Sequence, residues 1–157
     1  MVTLRLLNPK ARNRKVLEYI LSLRNNPQVW PGLYTQGFAE PHDITWSEHI
    51  SWWKSRPSSW REFLIVKDNL KVGVLTLGQL EYWEPETGIM LHPDYWGKGY
   101  AKQALELAFK YLRASSKKWT RTTILDTNIR SVNLYKSLGF QRIGIARPGE
   151  SLYRKEL

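Results

Sequence analysis

Apolar residues along the chain change their spacing several times, and each spacing predicts a different element. Between residues 99 and 114 they recur at i, i+3, i+4, i+7, i+8 and i+11, which places one apolar stripe along a helix. Shorter runs rich in branched and aromatic residues predict strands. One such run precedes the long helix and another follows it, so the three elements predict a right-handed parallel crossover.

The same reasoning divides the whole chain into strands and helices. Strands are predicted at 3–7, 62–67, 71–79, 87–91, 122–126, 141–146 and 152–156. Helices are predicted at 11–23, from a cap at 45 to 54 or 55, at 99–114 and at 129–138, and the aromatic-rich segment 29–44 is predicted to be a long loop. Because no linker or repeat interrupts the pattern, residues 1–157 are predicted to form a single domain.

Three local signals define boundaries within this pattern. Thr45 and Glu48 match a capping box at the start of the second helix. Asp68-Asn69 lies between two strands and predicts a hairpin turn. Gly139 followed by Phe140 has the pattern of a Schellman ending for the last helix.

Composition restricts the function classes. The 157 residues include no cysteine, which excludes disulfides, thiolate nucleophiles and cysteine-based zinc sites. His42, His49 and His92 lack metal-ligand spacing, so no metal site is predicted. No apolar run approaches the roughly 20 residues that span a bilayer, and the N-terminal segment lacks the pattern of a signal peptide. A soluble cytoplasmic protein without a membrane partner is therefore expected.

The net charge of +10 favours anionic partners such as nucleic acid or a phosphorylated cofactor. The basic residues are scattered, which also fits an ordinary solvated surface. A nucleic-acid-binding module is the main alternative function, but the sequence has no recognition-helix, RRM, KH or OB pattern, so a nucleic-acid partner is not expected.

The most informative segment lies directly before the long helix. A strand ends at Leu91, a turn follows, and Gly97-Lys98-Gly99 leads into the helix. Backbone N–H groups at a helix start have no intrahelical partner, and the helix dipole adds about half a positive charge there. Glycine also allows a ligand to approach the backbone closely. The segment therefore predicts a receptor for a phosphate or pyrophosphate group.

Two motifs carry a resemblance to a known family. Trp96-Gly97-Lys98-Gly99-Tyr100-Ala101 resembles the acetyl-CoA loop of the GNAT N-acetyltransferases, whose pattern is Gln/Arg-x-x-Gly-x-Gly/Ala. Residues 128–140 are similar to the family's Asn-x-x-Ser-x-x-Leu-Tyr-x-x-x-Gly-Phe block. The loop resembles most the subgroups related to ribosomal-protein and amino-sugar acetyltransferases. Ser47-Glu48-His49 with Trp52 resembles a pattern of the amino-sugar branch.

The resemblance implies an α/β (α+β) fold: a mostly antiparallel central sheet, a parallel β-α-β unit at the cofactor cleft, and helices on both faces. It implies acetyl-CoA as cosubstrate, with its pantetheine arm along Met90 and Leu91. The diphosphate would lie on the amides of the loop residues Gly97, Lys98, Gly99, Tyr100 and Ala101. Trp96 departs from the pattern because an indole offers no guanidinium to a phosphate, so Lys98 and the loop amides are expected to supply the positive charge.

Tyr135 and Asn128 each have two interpretations. Tyr135 either packs beneath Phe140 at the end of the last helix or, as the resemblance implies, protonates the departing thiolate of CoA. Asn128 either caps that helix or, by the same resemblance, binds the pantetheine arm; the two roles are compatible.

The resemblance also implies a carboxylate base near the strand 87–91. Glu86 is favoured over Glu81 and Glu84, which share its surface turn, and His92 is a further candidate. Aromatic residues of the long loop and the second helix either line the acceptor site or pack in the core; they are Trp30, Tyr34, Phe38, Trp46, Trp52 and Trp53.

Together these features predict an acetyl-CoA-dependent N-acetyltransferase. Because the chain has no cysteine to carry the acetyl group, direct attack by a primary amine in a ternary complex is expected. The sequence does not identify the acceptor: amino sugars, protein N-termini, polyamines and small amines stay open, and the basic charge argues mildly against a polycation such as spermidine. A CoA-binding protein of this fold without turnover is a second alternative, and homodimer formation stays open.

Overall fold

The computed structural model describes residues 1–8, 13–33 and 43–157. In these ranges the strands form one mixed sheet in the order β1-β2-β3-β4-β5-β7-β6. The strands are β1 Thr3–Leu6, β2 Arg61–Lys67, β3 Leu70–Gly78, β4 Glu86–Leu91, β5 Trp119–Leu125, β6 Gln141–Arg147 and β7 Glu150–Glu156. The α-helices are α1 Arg14–Arg24, α2 Trp46–Lys54, α3 Tyr100–Ala114 and α4 Ile129–Ser137. The predicted mixed α/β fold is confirmed.

The side chains of β2 divide the core into two layers. Phe63 and Ile65 belong to an apolar cluster with α3 and α4, whereas Leu64 and Val66 pack with α1 and α2. Successive side chains of a strand point to opposite faces, so a strand buried along its whole length needs cover on both sides. Helices therefore cover both faces of the sheet, as expected.

The cleft of the fold opens between β4 and β5. Strands β1 to β4 form an antiparallel meander, and β4 and β5 are the only parallel pair among the described strands. Glu86 opposite Arg121 is the one registered pair between them. Beyond this pair the two strands separate, and the rest of β4 has an open edge on that side.

Two local signals produce the structures that they predict. Thr45 Oγ1 accepts from the Glu48 amide at 3.2 Å, while the Glu48 carboxylate accepts from the Thr45 amide at 2.7 Å, which completes the capping box. Asp68 and Asn69 both have positive φ, 49° and 64°, as a tight hairpin turn between β2 and β3 requires.

Some predicted boundaries need correction. Helix α1 begins at Arg14 because Asn13 caps it through the Val16 amide; residues 11 and 12 of the predicted helix lie outside the described residues. Strand β5 begins at Trp119, before the predicted start at 122, because its first residues already pair with the end of β7. The alternation of apolar and polar residues is too weak at the start of β5 to predict this pairing.

The predicted long loop 29–44 is described only at its two ends. A short 3-10 turn, Trp30–Gly32, occupies its first part. Residues 34–42, with Tyr34 and Phe38, lie outside the described residues. In the described ranges no helix is both long and apolar enough to cross a bilayer.

Candidate active site

The glycine loop before α3 has the backbone geometry that the sequence predicts for a phosphate receptor. Gly97 and Gly99 have φ of 73° and 76°, in the left-handed region that favours glycine. A Cβ at either position would meet no atom within 4 Å, so backbone conformation rather than internal crowding requires glycine here. Gly99 is the N-cap of α3 and provides no side-chain cap.

The backbone N–H groups of residues 97–102 have no hydrogen-bond acceptor in the described part of the chain. The first hydrogen bond of α3 runs from the Gln103 N–H to the Gly99 carbonyl at 3.1 Å. The preceding N–H groups are therefore available to an anion, and they lie at the positive end of the helix dipole.

A first cavity, of about 750 Å³, lies between this loop, the open edge of β4 and the start of α4. It is lined by seven of the residues predicted to bind the cofactor: Met90, Leu91, Gly97, Gly99, Tyr100, Ala101 and Asn128. Lys98 does not line it. The Lys98 side chain is exposed, with its ammonium 5.5 Å from the centre of the Tyr95 ring.

Trp96 stands where the Gln/Arg-x-x-Gly-x-Gly/Ala pattern has Gln or Arg, and its contacts differ from those expected of either residue. Its indole N–H donates to the Leu91 carbonyl at 3.0 Å and so ties the loop to the end of β4. The guanidinium carbon of Arg130 lies 3.4 Å from the centre of the same ring, and both residues line the first cavity. An indole face attracts a cation. Helix α4 thus brings to the cavity the guanidinium that the loop lacks, and sequence reasoning missed it.

The end of β4 directs a backbone donor into the cleft. The His92 N–H donates to the Val72 carbonyl at 3.0 Å, across the pairing of β4 with β3. In an antiparallel pair, hydrogen-bonding residues alternate with residues whose N–H and C=O point the other way. The N–H of the preceding residue, Leu91, therefore points away from β3 and toward the opening.

A second cavity, of about 350 Å³, adjoins the first. Six residues line both cavities: Gly32, Leu33, Ile89, Met90, Asn128 and Ser131. The two spaces therefore meet between the open edge of β4 and the start of α4. A long ligand in the first cavity and a smaller one in the second can touch at this boundary.

Asn128 lies at the boundary between the cavities. Its Oδ1 accepts from the Ser131 amide at 3.3 Å and caps α4, so the capping interpretation is observed. Gly32 passes so close that a Cβ there would be 2.5 Å from Asn128 Nδ2. A larger residue at Gly32 would displace the Asn128 side chain.

Tyr135 belongs to the last turn of α4, is buried, and lines the second cavity. Its ring packs edge-on against Phe140 at 4.9 Å, and the Phe140 N–H donates to the Tyr135 carbonyl at 3.1 Å in the predicted Schellman ending. Its hydroxyl donates to the Thr87 carbonyl over a long 3.4 Å. Burial raises the pKa of Tyr135 to about 12, so the hydroxyl keeps its hydrogen at neutral pH. The packing interpretation is observed, and the catalytic one stays a prediction.

Of the three carboxylates in the predicted turn, Glu86 lines the second cavity. Glu84 forms an ion pair with Arg154 at 2.7 Å, and Glu81 is exposed to solvent. Glu86 lies 3.9 Å from Arg121. Burial raises the pKa of the Glu86 carboxyl above its ordinary value, against the opposing charge of Arg121. His92 lines neither cavity.

Sequence reasoning missed several charged residues of the second cavity, namely Arg24, Arg56, Glu62 and Glu150. Arg56 forms an ion pair with Glu62 at 2.5 Å, and the Thr76 hydroxyl donates to Glu62 at 2.9 Å. Burial raises the pKa of Glu62 above its usual range, although both partners favour the charged form. These groups come from separate elements, so no spacing along the chain joins them.

The predicted aromatic cluster divides between cavity and core. Trp52 lines the second cavity, whereas Trp53 is buried between the first two helices and the sheet. Trp46 packs at the edge of the same core, and Trp30 lines neither cavity. The packing interpretation is therefore observed for Trp53 and Trp46, and the acceptor-site interpretation stays a prediction for Trp52.

The family model described as Acetyltransferase (GNAT) domain matches residues 2–141. The chain belongs to the GNAT acetyltransferase family. This membership supports the predicted class, an N-acetyltransferase with acetyl-CoA as its cosubstrate. This membership favours an enzyme over the nucleic-acid-binding alternative.

Two curated relatives are similar to much of the chain. An uncharacterised protein of Methanocaldococcus jannaschii is 34% identical over 145 residues, which are 90% of this chain and 29% of that protein. The chain thus spans about three tenths of the length of this relative. The spermidine N(1)-acetyltransferase of Escherichia coli K12 is 29% identical over 133 residues, 81% of this chain and 68% of that protein.

Solved structures have the same fold. A domain from Methanocaldococcus jannaschii superposes with a TM-score of 0.87 at 30% identity, covering 100% of this chain and 99% of that one. The spermidine N-acetyltransferase of Vibrio cholerae, in complex with CoA and spermine, has a TM-score of 0.77 at 21% identity, covering 99% and 94%.

Proposed function

We propose that this domain transfers the acetyl group of acetyl-CoA directly to an amine held in the second cavity. The observation that carries the proposal is the meeting of the two cavities at Met90, Asn128 and Ser131. Unpaired backbone amides line one space, and buried carboxylates line the other. A thioester reaching from the first cavity would meet an amine in the second.

In the first cavity, the CoA diphosphate lies on the N–H groups of residues 97–102. Arg130, held over Trp96, adds a guanidinium that can bind a phosphate through two parallel hydrogen bonds. The pantetheine arm extends along the open edge of β4 beside Met90 and Leu91, where β5 has separated and the outward-facing backbone groups of β4 lack a strand partner. Asn128, beside this edge, donates from its side-chain amide to the arm.

Acetyl transfer requires a neutral amine, because an ammonium has no lone pair with which to attack. Glu86 takes the proton through a water molecule, and its raised pKa makes it a stronger base than an exposed glutamate. The nitrogen then bonds to the thioester carbon. The negative charge on the carbonyl oxygen is stabilised by the Leu91 N–H that points into the opening.

Collapse of the tetrahedral intermediate breaks the carbon–sulfur bond and releases the thiolate. Tyr135 donates its hydroxyl hydrogen to the sulfur. Its pKa of about 12 lies above the roughly 8.5 of a thiol, so hydrogen bonding to the thiolate is its main contribution. The ammonium loses one proton to Glu86 before the attack, and its nitrogen loses a second one when the amide forms. The second proton balances the one that CoA gains, so the products are an amide, free CoA and one proton released to solvent.

Thiol release from acetyl-CoA across a panel of amines tests this function. The panel contains nucleotide-linked amino sugars, N-terminal peptides, amino acids and spermidine, which is the acceptor named for the Escherichia coli relative. We expect release that depends on at least one amine and yields its acetylated form. Stabilisation of the protein by acetyl-CoA without release from any amine would show a binding protein instead. A cytoplasmic location and a homodimer stay predictions.

A further inference from the structure

One buried cation of the second cavity has no anionic partner among the residues that the structure describes. Arg24 comes from the last turn of α1, lines the cavity and is 9% exposed. One of its terminal nitrogens lies 3.1 Å from His49 Nδ1, and its guanidinium carbon lies 4.1 Å from the centre of the Trp52 ring. Both partners orient the guanidinium, and neither carries a negative charge.

The protonation state of His49 follows from its other contact. His49 Nε2 lies 2.8 Å from the Leu17 carbonyl, which can only accept, so Nε2 carries the hydrogen. Nδ1 then has a lone pair and accepts from Arg24. Burial lowers the pKa of His49 to about 4, so the ring is neutral at pH 7. The His49 ring also stacks on Trp52 at 5.6 Å. His49 and Trp52 therefore hold Arg24 in place without balancing its charge.

The carboxylates of the cavity already have arginine partners. The three pairs are Glu62 with Arg56, Glu86 with Arg121 and Glu150 with Arg147. In residues 1–8, 13–33 and 43–157, no carboxylate lies within ion-pair distance of Arg24. Glu48 stabilises the Arg24 charge only from a distance, because its carboxylate belongs to the capping box of α2.

A buried charge without a partner is costly, and proteins usually pair or neutralise it. Burial lowers the pKa of Arg24 to about 10, which still leaves it charged at pH 7. With one terminal nitrogen bound to His49, the rest of the guanidinium can bind a carboxylate or phosphate through its planar fork. The same cavity offers Glu86 to an amine, so it provides a positive and a negative site for one small molecule.

We propose that the acceptor is an amine that also carries an anionic oxygen group, either a phosphate or a carboxylate, and that Arg24 binds this group while the amine faces Glu86. The proposal rests on the acetyl transfer proposed above and names its substrate class. It predicts that a polyamine, which has no anionic end, is a poor acceptor for this chain.

Matched acceptor pairs test the proposal on the unaltered protein. The phosphate arm compares a nucleotide-linked amino sugar with the free amino sugar, and the carboxylate arm compares lysine with cadaverine. We expect kcat/KM to be at least about 10-fold higher for the anionic member of one pair, as a charged hydrogen bond provides. The arm that shows the difference identifies the group. Equal or better activity with the members that lack an anionic group, or with spermidine, overturns the proposal.

The Arg24→Met variant tests the residue itself, with Arg5→Met on the exposed face of β1 as the control. We expect Arg24→Met to lower kcat/KM for the acceptor with the anionic group by about 10- to 100-fold, mainly through KM, with little change for the matched acceptor that lacks this group. Arg24→Lys, which keeps the charge, should restore part of the activity. Equal losses with both acceptors would make Arg24 structural and overturn the proposal.

Two further readouts separate the possible failures. Calorimetry should give the same acetyl-CoA affinity for Arg24→Met as for the unaltered protein, because Arg24 lies outside the first cavity. Should Arg24→Met fail to fold in thermal unfolding, the acceptor pairs decide alone. Absence of thiol release with every amine refutes the proposed acetyl transfer, whereas release without preference for the anionic members refutes only the present proposal.

Discussion

The two cavities that meet beside β4 are built from different parts of the polypeptide. The phosphate receptor of the first cavity depends on main-chain N–H groups and glycines within one continuous segment, residues 91–102. The second depends on side chains from α1, α2, several strands and α4. A site made of backbone follows from local sequence, whereas a site made of side chains requires the whole fold. The backbone site suits the cosubstrate, which does not vary. The side-chain site can be altered by substitution to bind a different acceptor.

The largest effect is expected at Tyr135, in the second cavity. Tyr135→Phe keeps the ring against Phe140 but removes the hydrogen that is donated to sulfur. Turnover should fall by about 10- to 1000-fold while the acetyl-CoA dissociation constant stays nearly the same. Steady-state kinetics and calorimetry measure the two quantities. Tyr153→Phe, at a buried tyrosine outside both cavities, is the control. Unchanged turnover would remove Tyr135 from the mechanism.

A change in the glycine loop should act on the cosubstrate alone. Gly99→Asp places a carboxylate beside the phosphate receptor and should weaken acetyl-CoA binding by about 100-fold through charge repulsion. Gly99→Asn is the matched control, because asparagine has the same size without the charge and tolerates positive φ. Aspartate and asparagine meet the same backbone strain at this positive φ, so the comparison between them isolates the charge. Calorimetry that gives the two variants equal affinity would reject the loop as the phosphate site.

The ionisation of Glu86 in the second cavity should determine how the reaction rate depends on pH. Glu86 acts as a base only when ionised, and burial raises its pKa above the ordinary 4.5. The rate should therefore rise with pH through a midpoint above 4.5 and then level off. Glu86→Gln should remove this rise and lower the plateau by about 10- to 100-fold. Glu81→Gln, at the exposed neighbour, should change neither. A rise that persists in Glu86→Gln would assign the base elsewhere.

The smallest effect concerns the positive side chain that contacts the phosphate, which the sequence predicts to be Lys98 and the structure favours as Arg130. Arg130→Met should weaken acetyl-CoA binding by about 10-fold, since it removes one charged phosphate contact. Lys98→Met should have a smaller effect because the Lys98 side chain does not line the first cavity. Calorimetry at two salt concentrations separates them, and Arg130→Met should also reduce the salt dependence. The opposite ranking would return the phosphate contact to Lys98.

The contrast between a site made of backbone and a site made of side chains also explains which features the sequence could predict. The glycine loop, the Thr45 capping box and the ending at Gly139 are encoded within a few adjacent residues, and each was predicted and observed. Strands β5 and β7 begin at Trp119 and Glu150, earlier than predicted, because the pairing of these two strands is a tertiary contact: Trp119 pairs with Glu156, and Leu125 with Glu150.

Sequence reasoning found the backbone part of the candidate site and, through the resemblance, the side chains of Glu86, Asn128 and Tyr135, but it missed the arginines. Arg130 acts through its contact with Trp96, and Arg24 through contacts with His49 and Trp52, partners that lie far away along the chain. A Ser-Glu-His-x-x-Trp pattern was visible in the sequence, but nothing local indicates that its His and Trp would hold an arginine from another helix. Such contacts exist only after the sheet and its helices have packed.

The position of the diphosphate in a crystal structure with CoA bound tests the central claim most directly. The account predicts phosphate oxygens within hydrogen-bond distance of the amides of residues 97–102, and a thiol that ends near Met90, Asn128 and Tyr135. A nucleotide bound outside the first cavity, or a thiol directed away from the second, would contradict it.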